Sequence, residues 1–316
     1  MRWRPTACAL GRLAALTLLL ALAVACVRSF LAGERGSRRA AGKFMTLDWG
    51  GRVHYACYAP GEPWRRADLR AESRSVVLLL HGLGASLSQF DRDRQDGLVA
   101  HLLEAEFCVL SLDIWGHGQS SCPDGLELSP TVLLRLIWDC VERVLGSARK
   151  LSVIGFSHGA FLAALFASAN SANVTRLVLV APYACDLSTQ LPVPGATLVA
   201  TLALCMPRLR CRPLSETLAV FRVLCALRPE LWDRCARSLR WDDKPILLVV
   251  GDADSSVGMR IMEHVARLQA LLPRARLRTI PHCGHLGFFN GARSTRLRFG
   301  RCVVAFLREN RSRQCS

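Results

Sequence analysis

Lysine is almost missing from this chain. Lys and Arg together number 41 against 25 Asp and Glu, a formal charge of +16, yet lysine occurs only at Lys43, Lys150 and Lys244. Arginine bias of this kind can reflect nucleotide composition, so the charge by itself names no partner. Residues 1–43 hold eight basic side chains and one acid, and the remaining +9 is spread widely. No basic block interleaved with aromatics occurs, which leaves a nucleic-acid role without support. The 14 cysteines form no C-x-x-C pair and no zinc-finger spacing, so no metal centre is expected. Internal repeats and low-complexity tracts are missing too, so solenoid and disordered-array readings fall away.

A long apolar run is also lacking. The most apolar stretch near the start, Leu13–Val27, is fifteen residues, whereas a full membrane span needs about twenty. With Arg2, Arg4 and Arg12 before it and the small-residue run "ALAVAC" at its end, it reads as a secretory signal peptide or short signal anchor over residues 1–32. The absence of any acid before Glu34 also suits a mitochondrial presequence, although the amphipathic arginine pattern is not there. A basic linker, 33–43, follows; "RGSRRAAGK" within it suits an anionic membrane surface. On the secretory route, Asn173-Val-Thr and Asn310-Arg-Ser fit glycosylation acceptors, and pairs such as Cys205/Cys211 or Cys225/Cys235 are disulfide candidates. Cys108 and Cys302 sit in apolar segments and read as buried free thiols.

What is there, from Phe44 onward, is a regular alternation. "FMTLDWGGRVHYACYAP" alternates apolar and polar residues around a Gly-Gly, a hairpin pattern. Then "SVVLLLHG", "FCVLSLD", "KLSVIGFS" and "VTRLVLVAP" are continuous apolar strands separated by helical patterns. One of these, "SPTVLLRLIWDCVERVL", has Ser129 as N-cap before Pro130. The alternation breaks at about Tyr183–Asp242 and resumes with "KPILLVVGDAD", "RIMEHVARLQALL", "RARLRTIPH" and a last helix near Ser294–Glu309. Fully apolar strands alternating with helices predict an α/β fold, a mostly parallel sheet covered on both faces. The predicted organisation is a core over 44–183 and 243–309, with a helical cap inserted at 184–242. The cap's apolar run, Ala196–Met206, reads equally as an acyl-chain wall or membrane-dipping helix and as a helix covering the core.

In such sheets ligands bind beyond the carboxyl ends of the strands, and four strand ends here carry polar residues. Ser157 lies in "GFSHG", a G-x-S-x-G turn in which glycines leave room for a sharp bend that exposes the hydroxyl. A serine needs a base, and the base an orienting acid. "VVGDAD" offers Asp252 or Asp254, and "IPHCGH" offers His282 or His285; spacing alone does not separate either pair. The order Ser, Asp, His along the chain is the one this architecture uses. Backbone N–H groups of Leu83, in "HGLGAS", and of His158, after the serine, are positioned to hold an oxyanion. His81 is expected to fix its loop through hydrogen bonds.

Residues about 44–309 resemble the α/β-hydrolase superfamily, in its esterase/lipase-like group with a short helical cap. "HGLG", "SLDIWGHGQS", "GFSHGA", "GDAD" and "CGH" occur in the family order. The resemblance implies the α/β-hydrolase fold and favours Asp254, through the G-x-x-D match with Gly251, and His285, through the Gly284-His285 match. It implies that Asp113–Ser120 shapes the pocket wall. Serine at position 157 disfavours the dehalogenase and epoxide-hydrolase chemistries that use Asp there. One departure is His158, where many relatives carry methionine, leucine or glutamine. The expected activity is hydrolysis of a carboxylic ester, a lipid or other hydrophobic ester, by Ser157, His285 and Asp254, with no cofactor and no nucleic-acid partner. Membrane association through the N-terminal segment and cap is a further expectation. Amide or carbon–carbon cleavage, or a non-catalytic binding module, are the rival readings.

Overall fold

A computed structural model describes residues 42–61, 69–70, 73–91, 95–121, 129–147, 149–182, 229–240, 243–254 and 261–309. Strands β1 (Lys43–Thr46) and β2 (Arg52–Tyr58) form the expected hairpin, followed by β3 (Val76–Leu80). After these, α1 (Leu98–Glu104), β4 (Cys108–Leu112), α2 (Pro130–Leu145), β5 (Leu151–Phe156), α3 (His158–Ala169) and β6 (Val174–Val180) alternate without exception. Then come α4 (Pro229–Arg240), β7 (Ile246–Gly251), α5 (Ile261–Leu271), β8 (Arg276–Ile280), the short α6 (Gly287–Asn290) and α7 (Arg293–Arg308). The eight strands form one sheet in the order β1-β2-β4-β3-β5-β6-β7-β8. Only β1 and β2 run antiparallel to their neighbours; from β4 to β8 every pairing is parallel.

The apolar runs become fully buried strands because helices cover both faces. Every residue of β3, β4, β5 and β7 is buried. Alternate residues feed two separate cores. Leu78, Leu110, Val153, Leu177 and Leu248 join the core under α2, α3 and α4. Val77, Val109, Ile154, Val178 and Val249 join the core under α1 and α7. Each such side chain contributes roughly 1.5–3 kcal/mol relative to exposure. Ser129 caps α2 as expected, accepting from the Val132 N–H at 3.3 Å with Pro130 in the first turn.

The 184–242 segment is described only over α4. There Trp232, Ala236 and Leu239 pack into the core beside α3, so these residues belong to the helical layer over the sheet. Ala196–Met206, Cys205/Cys211 and Asn310 lie outside the described residues. Cys235 is a buried thiol on α4 outside any disulfide, and its candidate partner Cys225 lies outside the described residues. Cys108 and Cys302 are also thiols outside any disulfide, the first buried and the second partly so. The signal segment lies outside the described residues, among which no helix is long and apolar enough to cross a membrane.

Candidate active site

Ser157 is the first residue beyond β5 and sits in the left-handed region, φ 53° and ψ −116°. A serine there costs on the order of 1–3 kcal/mol and is held only by firm surroundings. Its N–H donates to the Val180 carbonyl at 2.9 Å, and its carbonyl accepts the Ala160 N–H at 3.0 Å. The flanking glycines have separate reasons. A Cβ on Gly155 would overlap the Gly159 backbone, and one on Gly159 would overlap the carbonyls of Leu80 and His81. The first turn of α3 is thus pressed against the ends of β5 and β3, and the bend leaves the Ser157 hydroxyl outside.

The loops after β7 and β8 meet the same point. A Cβ on Gly251 would overlap the Cys283 carbonyl, so only glycine allows the two loops to touch. His285 comes off the second loop, half-buried, with its ring 4.9 Å from that of Phe156. Its Nε2 lies 3.0 Å from Ser157 Oγ, and its Nδ1 lies 2.8 Å from Asp254 Oδ2. The Asp254 carboxylate is buried. An ionised carboxylate only accepts, so Nδ1 carries the proton and Nε2 is left to accept from the serine hydroxyl. The alternative residues go elsewhere. Asp252 Oδ1 accepts the Cys283 N–H at 3.3 Å, and His282 forms the positive-φ corner of its turn, at 53°. Burial, with Asp254 and Asp252 close by, pushes the Cys283 thiol up to about 12, so it stays protonated.

Leu83 sits on the turn that follows β3. His81, fully buried, accepts the Ile114 N–H on Nε2 at 3.0 Å, which leaves the proton on Nδ1. That Nδ1–H donates to the Gly82 carbonyl at 2.7 Å, and the Ala85 N–H donates to the same oxygen at 3.2 Å. Gly82 C=O and Leu83 N–H share one planar peptide and point in opposite directions. Fixing the carbonyl therefore fixes the N–H. Among the described residues neither the Leu83 nor the His158 backbone N–H meets an acceptor. The His158 ring turns inward: it is 2 % exposed, and neither nitrogen has a hydrogen-bond partner among the described residues. Burial and the neighbouring His81 push its pKa down to about 3, so the imidazole is neutral at ordinary pH.

Two residues that the motifs did not single out hold this loop in place. Gln89 Oε1 accepts the Gly82 N–H at 3.1 Å. His54, buried on β2, places Nδ1 2.7 Å from Asp113 Oδ2. Asp113 also accepts from the Leu87 N–H at 2.6 Å and the Gln119 N–H at 2.8 Å, tying the 86–90 segment to the 113–120 loop. Burial pushes this carboxyl upward, but the His54 bond, His81 and the two backbone donors outweigh it and hold it below the usual carboxylate range. Gly118, at φ 55°, lies where any Cβ would overlap that carboxylate. The Asp113–Ser120 segment therefore braces the loop that carries Leu83.

The sequence matches the alpha/beta hydrolase family over residues 77–295. The chain belongs to that family. No curated protein matches it by sequence. Among solved structures it is similar to a carboxylesterase of the ammonia-oxidizing thaumarchaeon Nitrososphaera gargenis, at 13 % identity and TM-score 0.64 over 84 % of this chain and 100 % of that one. A membrane phospholipase A described as a bacterial virulence factor is 20 % identical, TM-score 0.62, with 93 % and 97 % covered. The meta-cleavage product hydrolase of Pseudomonas fluorescens is 21 % identical, TM-score 0.60, with 85 % and 98 % covered. At these identities the likeness establishes the α/β-hydrolase fold.

Proposed function

We propose that this family member is a serine hydrolase acting on a carboxylic ester, a lipid or another hydrophobic ester. The carrying observation is the hydrogen-bonded chain from Ser157 Oγ through His285 to the Asp254 carboxylate. In this reading Ser157 Oγ bonds to the ester carbonyl carbon while its proton passes to His285 Nε2. Asp254 orients the imidazole and stabilises the imidazolium. The Leu83 and His158 N–H groups receive the developing oxyanion, in place of acceptors they lack among the described residues. The carbon–oxygen bond then breaks, and the leaving alcohol takes the proton from His285. Water, deprotonated by the same ring, cleaves the acyl-enzyme and returns Ser157 to its hydroxyl form.

The fold likeness to a carboxylesterase and to a phospholipase supports ester chemistry. A hydrophobic substrate is favoured by the apolar run at Ala196–Met206 and the apolar N-terminal segment. On the same ground we assign the chain to the secretory route or to a membrane-anchored state, in preference to mitochondria. A second reading, carbon–carbon hydrolysis by the same three side chains, draws on the likeness to the meta-cleavage product hydrolase.

A fluorophosphonate probe tests the chemistry. Wild type is expected to label and Ser157→Ala to remain unlabelled. Folded wild type that does not label overturns the hydrolase reading, and equal labelling of both overturns the role of Ser157. An ester panel graded in acyl length then separates the substrates. Labelling without turnover of any ester favours the carbon–carbon reading.

A further inference from the structure

The flank of the fold formed by β8 and α7 has an uneven charge. From Arg274 to Glu309 there are eight arginines and one carboxylate, Glu309 itself. Three carboxylates on this flank are paired among the described residues. Glu309 pairs with Arg276, Asp243 with Arg274, and Asp96 with both Arg293 and Arg296. Arg278, Arg298, Arg301 and Arg308 are all exposed and have no carboxylate partner among the described residues.

These four guanidiniums share one surface. On α7 the buried side is Thr295, Phe299, Gly300, Val303, Phe306 and Leu307. At 100° per residue, Arg298, Arg301 and Arg308 fall on the opposite arc, along a line of about 15 Å. Arg278 adjoins that arc. It alternates with Leu277, which faces the α2–α3 core, and lies close enough to Cys302 of α7 to lower that thiol's pKa against its burial. Like charges three residues apart on a helix, as Arg298 and Arg301 are, oppose helix formation. The helix on the other side of the sheet shows no such imbalance: on α2, Arg135 meets Asp139 and Arg143 meets Asp48. Water and salt screen such a row of exposed charge, and a surface of opposite charge is attracted to it.

We propose that the β8–α7 face is a docking surface for an anionic lipid bilayer. The guanidinium fork matches phosphate and carboxylate oxygens bidentately, and a row of four on a rigid helix and strand meets headgroups in one plane. The only large apolar side chain classed as exposed among the described residues is Phe44, on β1 at the far edge of the sheet. The contact is therefore electrostatic, without insertion and without the stacking aromatics that single-stranded nucleic acid uses. The His285 loop runs directly from β8 to α6 and α7, so docking on this face brings the bilayer against the elements that anchor that loop.

The test measures sedimentation of the full chain with phosphatidylcholine vesicles, with and without phosphatidylserine. The apolar N-terminal segment is common to all the proteins compared, so the readout is the ratio of anionic to neutral binding. Each basic residue near the surface is worth about fivefold in partitioning. Arg298→Gln/Arg301→Gln should therefore lose about 25-fold of that ratio, and the wild-type ratio should fall with salt. Arg234→Gln/Arg237→Gln, the same charge loss on α4 across the sheet, should keep the wild-type ratio. Equal losses in the two variants, or no loss in the first, overturn the face. A loss seen with duplex DNA but not with vesicles overturns the lipid assignment. Fluorophosphonate labelling of the variants, unchanged if they are folded, keeps this result separate from that of the catalytic proposal.

Discussion

Replacing His158 with methionine should stabilise the protein, most strongly in acid, and leave the chemistry in place. The imidazole is 2 % exposed, and both ring nitrogens lack partners among the described residues. A buried polar group without a hydrogen bond costs about 1–3 kcal/mol on mutational scales. A methionine fills irregular core space without that demand, so part of this should be recovered at neutral pH. The acid term is larger. The ring's pKa falls from 6.5 to about 3 on folding, through burial first and His81 second. The unfolded chain therefore takes up a proton as pH drops through 6.5, and the native state does not until about 3. Folding loses stability over that whole window. By linkage the loss from this one group is about 2 kcal/mol near pH 5.

Urea unfolding of wild type and His158→Met between neutral pH and about pH 4 would measure both terms. The variant should be the more stable at neutral pH, and its advantage should widen by about 2 kcal/mol near pH 5. Fluorophosphonate labelling should stay within a few-fold of wild type, because the backbone N–H of residue 158 is retained. A variant that is less stable than wild type, or whose advantage does not widen in acid, would refute the account of an unsatisfied neutral imidazole.

Asp254→Asn should cut ester turnover by roughly 10³–10⁴-fold, whereas Asp252→Asn, which keeps an Oδ1 acceptor for the Cys283 N–H and loses only the charge, should stay within about tenfold; steady-state kinetics on the best ester decide this. Gly159→Ala should destabilise by more than about 3 kcal/mol, since its methyl would overlap two backbone carbonyls that cannot move aside; a melting temperature near wild type would contradict it. Asp113→Asn should lower stability at neutral pH and flatten its decline in acid. The native Asp113 carboxyl lies below its ordinary range, so its contribution is present above that range and is lost as pH falls through it. Denaturant titrations at two pH values give the sign.

The parts of this fold that were legible in the sequence are those where one physical demand acts on a contiguous stretch. A strand buried on both faces must be apolar at every position, so β3, β4, β5 and β7 stand out as runs. The Ser157 turn was legible for a similar reason, since two overlaps with carbonyl oxygens demand glycine on both sides within five residues. The choice between Asp252 and Asp254 was not legible from spacing, because both follow the same strand and differ only in side-chain direction. One turns to the Cys283 N–H and the other to His285. His54 was harder still, since it sits in an ordinary alternating strand 59 residues from Asp113. Nothing local marks it, because its bond forms only once β2 pairs with β4 and the two residues lie side by side. The His158 ring is a different case. The backbone at 158 is needed at the site while the side chain is needed nowhere, so the elbow's geometry constrains one half of the residue and leaves the other to drift. An imidazole facing a core that offers it no partner follows from that division, and a stability cost carried beside the nucleophile is tolerable only because the elbow is braced by β3, β5 and β6 together.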